Sequence, residues 1–163
     1  MISESVWNIG GNAYSNPDTP PYGLPLLVQY TKERGTITYQ NSQPSVWTGK
    51  VGLIYLSDYG YASTNSECRE NLRAGITYNI ETNSYSEKNA LCKVGNWLTK
   101  EFNYQTISST YISGSSIFLV FKDGGITYDS SYEIRYVLPS VYLKSNINII
   151  SGNGSKSNPY KLN

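Results

Sequence analysis

Between Ser45 and Ala62 the chain places its densest apolar run directly before its clearest change of periodicity, and this stretch limits what the whole can fold into. Val51 to Leu56 is short, aliphatic and aromatic, and bounded by Gly and Ser, the pattern of a strand covered on both faces. Ser57 or Asp58 then offers a side-chain oxygen to the unpaired N–H groups of a helix start. The expectation is strand, cap, helix. It puts Trp47 and Leu53 in the core, makes Asp58 the cap, and leaves Tyr59 and Tyr61 open to a binding role.

The rest of the chain reads as short strands set among turns. Val6 to Ile9 is a strand, followed by loop through Gly10-Gly11 and Pro20-Pro21. Leu24 to Tyr30 reads as an edge strand or an irregular buried segment, because Pro25 lacks the N–H a central strand needs. Thr36 to Tyr39 alternates with period two, and Asn41 to Pro44 is loop. Glu67 to Ala74 reads as a turn or short helix, and residues 75 to 90 as a polar excursion without periodicity. Ile117 to Phe121 is a buried strand, Asp123-Gly124-Gly125 a hairpin turn, and Gly125 to Tyr128 its return. Tyr132 to Val137 alternates, Pro139 interrupts, Val141 to Leu143 resumes, and Gly152-Asn153-Gly154 marks a final hairpin. The fold class expected is α+β, strand-dominated, with one or two short helices, and residues 1–163 form a single domain.

Charged residues make up only 15% of the chain and the net charge is +1, without a basic cluster. Nucleic acid is therefore not an expected partner, since that affinity rests on neutralising several phosphates together. No apolar run approaches the roughly 20 residues of a membrane-spanning helix, and the first residues do not resemble a signal peptide. Any membrane association is expected through a segment outside this sequence. The 16 tyrosines give a surface that is polar with little charge, as in β-rich extracellular domains.

Chemistry is constrained by one absence above all: the chain contains no histidine. Serine and cysteine nucleophile systems built on an imidazole base are excluded. Two cysteines, Cys68 and Cys92, are too few for a tetrahedral metal site. They fit a disulfide worth about 3 kcal/mol by loop entropy, or two buried thiols. The disulfide would require an oxidising compartment. The acids are scattered: Asp58 suits a cap and Asp123 a turn better than either suits acid–base catalysis. The expectation is a chain that is not an enzyme and carries no cofactor and no metal. Exposed Tyr and Trp faces among Asn and Ser amides suit sugar or protein recognition, and Tyr59, Tyr61 and Trp97 are the candidate ligand-facing rings. Phe102, Tyr104 and Tyr111 follow in the same region, where core packing is the competing role.

The order of several segments resembles a family. These are Ser45-Val46-Trp47-Thr48-Gly49-Lys50-Val51-Gly52-Leu53, Ser57 to Ala62, Asn96-Trp97-Leu98, Val141-Tyr142-Leu143-Lys144-Ser145-Asn146, and the Ser151-Gly152-Asn153-Gly154-Ser155 and Asn158-Pro159-Tyr160-Lys161-Leu162 tail. Together they resemble an uncharacterised extracellular domain family of Gram-positive bacteria with a VRPVVYLKSN-type strand and a SGDGS..NPY.L tail, whose members often follow a type IV pilin-like N-terminal helix. A more distant likeness is to the C-type lectin-like fold shared with formylglycine-generating enzymes. The resemblance implies an extracellular, cell-surface location, two cysteines flanking a variable loop, and pilus subunits or a surface glycan or protein as partners. Where the family has Val-Arg-Pro-Val this chain has Val137-Leu138-Pro139-Ser140, so Pro139 remains as a structural residue, the Arg is lost, and Arg135 is the nearest substitute. The lectin calcium motifs are not present. The function expected is a non-enzymatic cell-surface or pilin-like domain with a structural or adhesive role, or else a lectin-like carbohydrate- or peptide-binding module.

Overall fold

The computed structural model describes residues 2–10, 26–34, 45–70, 72, 76–79, 84–87, 91–109, 116–155 and 157–163. The expected strand at Thr36 to Tyr39, the loops at 11–22 and 41–44, and Tyr111 lie outside these residues. The architecture is α+β with strands dominating. Strand β1 (Ser5–Gly10) pairs antiparallel with β2 (Ser45–Gly49), bringing Trp7 opposite Trp47. Helix α1 (Leu26–Arg34) comes between them in sequence, and β3 (Gly52–Leu53) and α2 (Leu56–Tyr61) follow. Helix α3 (Ser66–Glu70) leads to a hairpin of β4 (Ile76–Asn79) and β5 (Ser84–Glu87).

A four-stranded sheet forms the second half of the body. Its strands are β6 (Tyr104–Ser109), β7 (Ser116–Val120), β8 (Ile126–Ser130) and β9 (Tyr136–Val137), in the order β8-β7-β6-β9. β7 and β8 are the expected hairpin. Gly124 turns it at φ 89°, and the Gly125 N–H donates to the Asp123 carboxylate. β10 (Pro139–Ser140) pairs with β3, and β11 (Ile149–Ser151) with β12 (Lys161–Leu162) in the terminal hairpin.

Four expectations are corrected. Over Leu26 to Tyr30 neither the expected edge strand nor the irregular segment is found: helix α1 runs through these residues, and its buried residues include Leu26, Gln29 and Glu33. Two of those three are polar, so the buried face carries helical spacing but little apolar signal. Residues 75 to 90 contain the β4–β5 hairpin. The buried strand expected over Val51 to Leu56 is only Gly52–Leu53, because its partner β10 is two residues long and Pro139 has no N–H to extend the ladder. Trp47 is 45% exposed, whereas Trp7 is 2% exposed and takes the interior place. The Trp7 indole N–H donates to the Gly49 carbonyl at 3.1 Å, and its ring lies over Gly52. Trp47 lies along its own strand against Gly49.

One cluster of buried side chains unites the parts. Leu26, Leu56, Tyr59, Leu72, Tyr104, Phe118, Val120 and Ile126 surround the disulfide formed by Cys68 and Cys92. With so few Phe available, Tyr fills the core and uses its hydroxyl as a tether. Tyr59 donates to the Gly124 carbonyl at 2.9 Å and Tyr104 to the Leu98 carbonyl at 2.9 Å, and Tyr55 accepts the Asn8 N–H at 2.9 Å. Burial in this core pushes the Tyr104 phenol far above its usual range, with the nearby Tyr59 adding to the effect.

The start of α2 is tied to several distant parts of the chain. A helix begins with N–H groups that have no partner within it, and here distant residues supply acceptors. Asp58 sits in the first turn rather than at the cap itself, and its carboxylate accepts the Tyr55 N–H at 2.9 Å. The Leu56 N–H donates to Ser108 Oγ at 2.9 Å, and the Ser57 N–H to Glu33 Oε2 at 3.1 Å. Ser108 reaches this point because β6 loses register between Gln105 and Ser109. Its hydroxyl in turn donates to Glu33 Oε1 at 2.5 Å.

Candidate functional site

Helix α1 ends on two charged residues with opposite fates. Glu33 is buried and accepts from Gln29 Nε2, the Ser57 N–H and Ser108 Oγ. Burial pushes its carboxyl above the usual carboxylate range, against the pull of those hydrogen bonds. Arg34 turns outward. Its Nη1 donates to Ser57 Oγ at 2.7 Å and its Nη2 to Asp58 Oδ1 at 2.5 Å. The guanidinium lies 4.4 Å from the Tyr55 ring centroid and 4.9 Å from that of Tyr30, within cation–π range. Burial disfavours its charge, but Asp58, the Tyr142 side chain and Glu33 outweigh that and hold it protonated.

The Arg34–Asp58 pair lies in a cleft of about 400 Å³ whose lining includes four aromatic rings. Trp7 and Tyr142 form one side, with ring centroids 5.0 Å apart. Tyr61 and Trp97 line the cleft as well, and Tyr61 packs edge-on against Tyr30 at 5.7 Å. Ser140 and Val141, from and just beyond β10, complete the rim.

Trp97 is the most accessible of the lining rings described, at 72% exposure, and its position is set by its neighbours. Asn96 is buried and donates through Nδ2 to the carbonyls of Tyr59 at 2.8 Å and Cys92 at 2.7 Å. Its Oδ1 accepts the Leu98 N–H at 2.9 Å, and the Leu98 side chain is buried. Gly95, at φ 60°, makes the turn before it. The indole is therefore presented outward from a loop fastened on both sides and adjoining the disulfide.

Of the candidate rings, Tyr61 (44% exposed) and Trp97 are brought to one cleft. Tyr59 is not ligand-facing: it is 0% exposed, because its ring and hydroxyl complete the core beneath α2. Asp58 is both a helix-start residue and a wall of the cleft. Pro139 pairs opposite Leu53 and leads into the rim. Arg135 is not among the residues lining the cleft at Asp58. It pairs with Asp129 at 2.5 Å and Glu133 at 3.9 Å, beside a separate groove over β7 and β8.

Sequence reasoning missed Arg34, Glu33 and Tyr142. The Tyr30 and Arg34 spacing of i, i+4 was the available signal, and it becomes visible only once α1 is taken as a helix. Among the described residues no group of three or more His, Cys, Asp or Glu could hold a metal ion, and no helix is long and apolar enough to cross a membrane. Compared with protein-family models, curated proteins and solved structures, the chain gave no match.

Proposed function

We propose that the chain is a non-enzymatic extracellular domain of a cell-surface protein, with an adhesive role exercised through the aromatic cleft over Arg34 and Asp58. The observation that carries this reading is Trp97: a large apolar ring, mostly exposed, on a backbone fastened by the buried Asn96 and Leu98 on either side. With its backbone already ordered, this segment has less freedom left to lose when a ligand covers the ring, which favours recognition. Neither acid near the cleft is set up for proton transfer. Asp58 is engaged by Arg34 and the Tyr55 N–H, and Glu33 lies beneath the surface amid three donors. The buried disulfide supports a location outside the reducing cytosol. A Trp97→Ala variant with unchanged circular dichroism should lose attachment to glycan- or protein-coated surfaces that bind the parent. Unchanged attachment would refute the role of the cleft.

A second reading, a pilin-like structural subunit, draws on the terminal hairpin. Ile149, Ile150 and Tyr160 are all more than half exposed there. Such a surface suits subunit contact. Under it, Ile150→Lys abolishes concentration-dependent assembly measured by light scattering, and an assembly that survives the substitution removes this reading.

A further inference from the structure

Resting on the adhesive reading above, we infer that the cleft takes a neutral hexopyranose unit and selects against anionic sugars. A pyranose presents two kinds of surface at once, a face of C–H bonds and a rim of hydroxyls. The Trp97 indole offers a flat apolar surface for the first, lining the cleft on a backbone fastened through Asn96 and Leu98. For the second, the cleft supplies donors and acceptors side by side, because Arg34 and Asp58 are held as a pair. Hydroxyls both donate and accept, so adjacent ones on a sugar ring satisfy such a pair where a purely anionic or cationic group satisfies half of it. An Asp carboxylate has about four acceptor positions. The Arg34 Nη2 and the Tyr55 N–H occupy two of them, leaving capacity on a side chain that is 35% exposed. Ser140 also lines the cleft, and Tyr142, whose side chain hydrogen-bonds to Arg34, extends the polar group beside the pair.

Charge decides the class. The half-buried pair sums to zero, and the carboxyl of Glu33 lies 3.8 Å from the same guanidinium. The positive charge of Arg34 is thus already opposed from two sides. A sialic or uronic acid would bring its carboxylate beside Asp58 without an uncommitted cation to meet it, and like charges at short range disfavour the bound state. A volume of about 400 Å³ lies at the small end of ligand sites, which suits one or two sugar rings rather than a long peptide.

The test titrates the intact domain with methyl glucoside, methyl galactoside, lactose and N-acetylglucosamine, and in parallel with 3′-sialyllactose and glucuronic acid. Ligand-observed saturation-transfer NMR and tryptophan emission report binding. At least one neutral sugar should bind with a Kd of about 1 mM, as a small contact of this kind allows. Trp97→Ala should weaken it at least tenfold, and Tyr142→Phe, which leaves the Asp58 tie at the start of α2 untouched, should weaken it to a lesser degree. The acidic sugars should bind at least tenfold more weakly than their neutral counterparts. Equal or tighter binding of the acidic sugars overturns the inference, as does neutral-sugar binding that survives Trp97→Ala. If no free sugar binds but surface attachment still depends on Trp97, the sugar assignment fails and the adhesive reading stands. If neither depends on Trp97, both fall.

Discussion

Replacing Glu33 by Ala removes one acceptor group and leaves three donors behind. Gln29 Nε2, the Ser57 N–H and Ser108 Oγ all point at this carboxylate, two of them at 2.6 Å or less. A buried donor without a partner costs about 1–3 kcal/mol, and the cavity left by the side chain adds to that. The loss of a desolvated charge works in the opposite direction, so the expected net destabilisation is about 3 kcal/mol. Glu33→Gln keeps one acceptor oxygen and should cost less. The two variants also separate hydrogen bonding from ionisation. Burial holds the Glu33 carboxyl above its ordinary value in the folded state. The stability it contributes is therefore fully present below the unfolded pKa of about 4.3 and is lost as pH rises through the folded pKa. Urea midpoints measured from pH 4 to pH 8 should show the parent gaining on Glu33→Gln as pH falls toward that unfolded value. Other acids titrate in both proteins, so the difference between them is the quantity to read. A Glu33→Ala loss below 1 kcal/mol, or a difference independent of pH, would refute this account of the junction.

Three further outcomes follow from the packing. Gly52→Ala would place a methyl 2.4 Å from the Trp7 ring, which is buried and hydrogen-bonded, and should cost about 2–3 kcal/mol in urea unfolding. Gly49→Ala meets the half-exposed Trp47 ring, which has room to swing away, and should cost less. Cys68→Ser with Cys92→Ser should lower stability by about 3 kcal/mol and broaden the NMR signals of the loop carrying Trp97, whose anchor Asn96 bonds to the Cys92 carbonyl. Tyr59→Phe should cost about 1 kcal/mol by denaturation, since it leaves the Gly124 carbonyl without its donor from the core.

The β7–β8 hairpin, whose buried residues are mostly apolar, was legible from sequence, and β6, which buries Gln105, Thr106 and Ser108, was not. Ile117 to Phe121 and its Asp123-Gly124-Gly125 turn carry their structure locally. The Gly152 turn likewise announces the last hairpin. α1 hides its inner face because Gln29 and Glu33 are buried by virtue of partners on β6 and α2, which no local pattern encodes. For the same reason the cleft could be read only in part. Tyr61 and Trp97 stood out as rings, but Tyr59 looked equivalent to Tyr61 two positions away. On a helix those positions point to different sides, and only packing decides which is outside. Trp7 and Trp47 pose the same ambiguity across a strand pair.

The Ser3 N–H donates to the Tyr142 carbonyl at 2.8 Å, and Ile2 bridges Leu143 antiparallel to it. Tyr142 is a wall of the cleft. With the cleft as the proposed binding site, a pull on the chain ahead of Ile2 that is opposed by a ligand there would enter the fold at this joint and pass directly to Tyr142 in the cleft wall. The disulfide belongs neither to this joint nor to the cleft lining. Force spectroscopy on the tethered domain should then find that detachment and the first yielding event share one mechanical element, the short bridge between Ile2-Ser3 and Tyr142-Leu143.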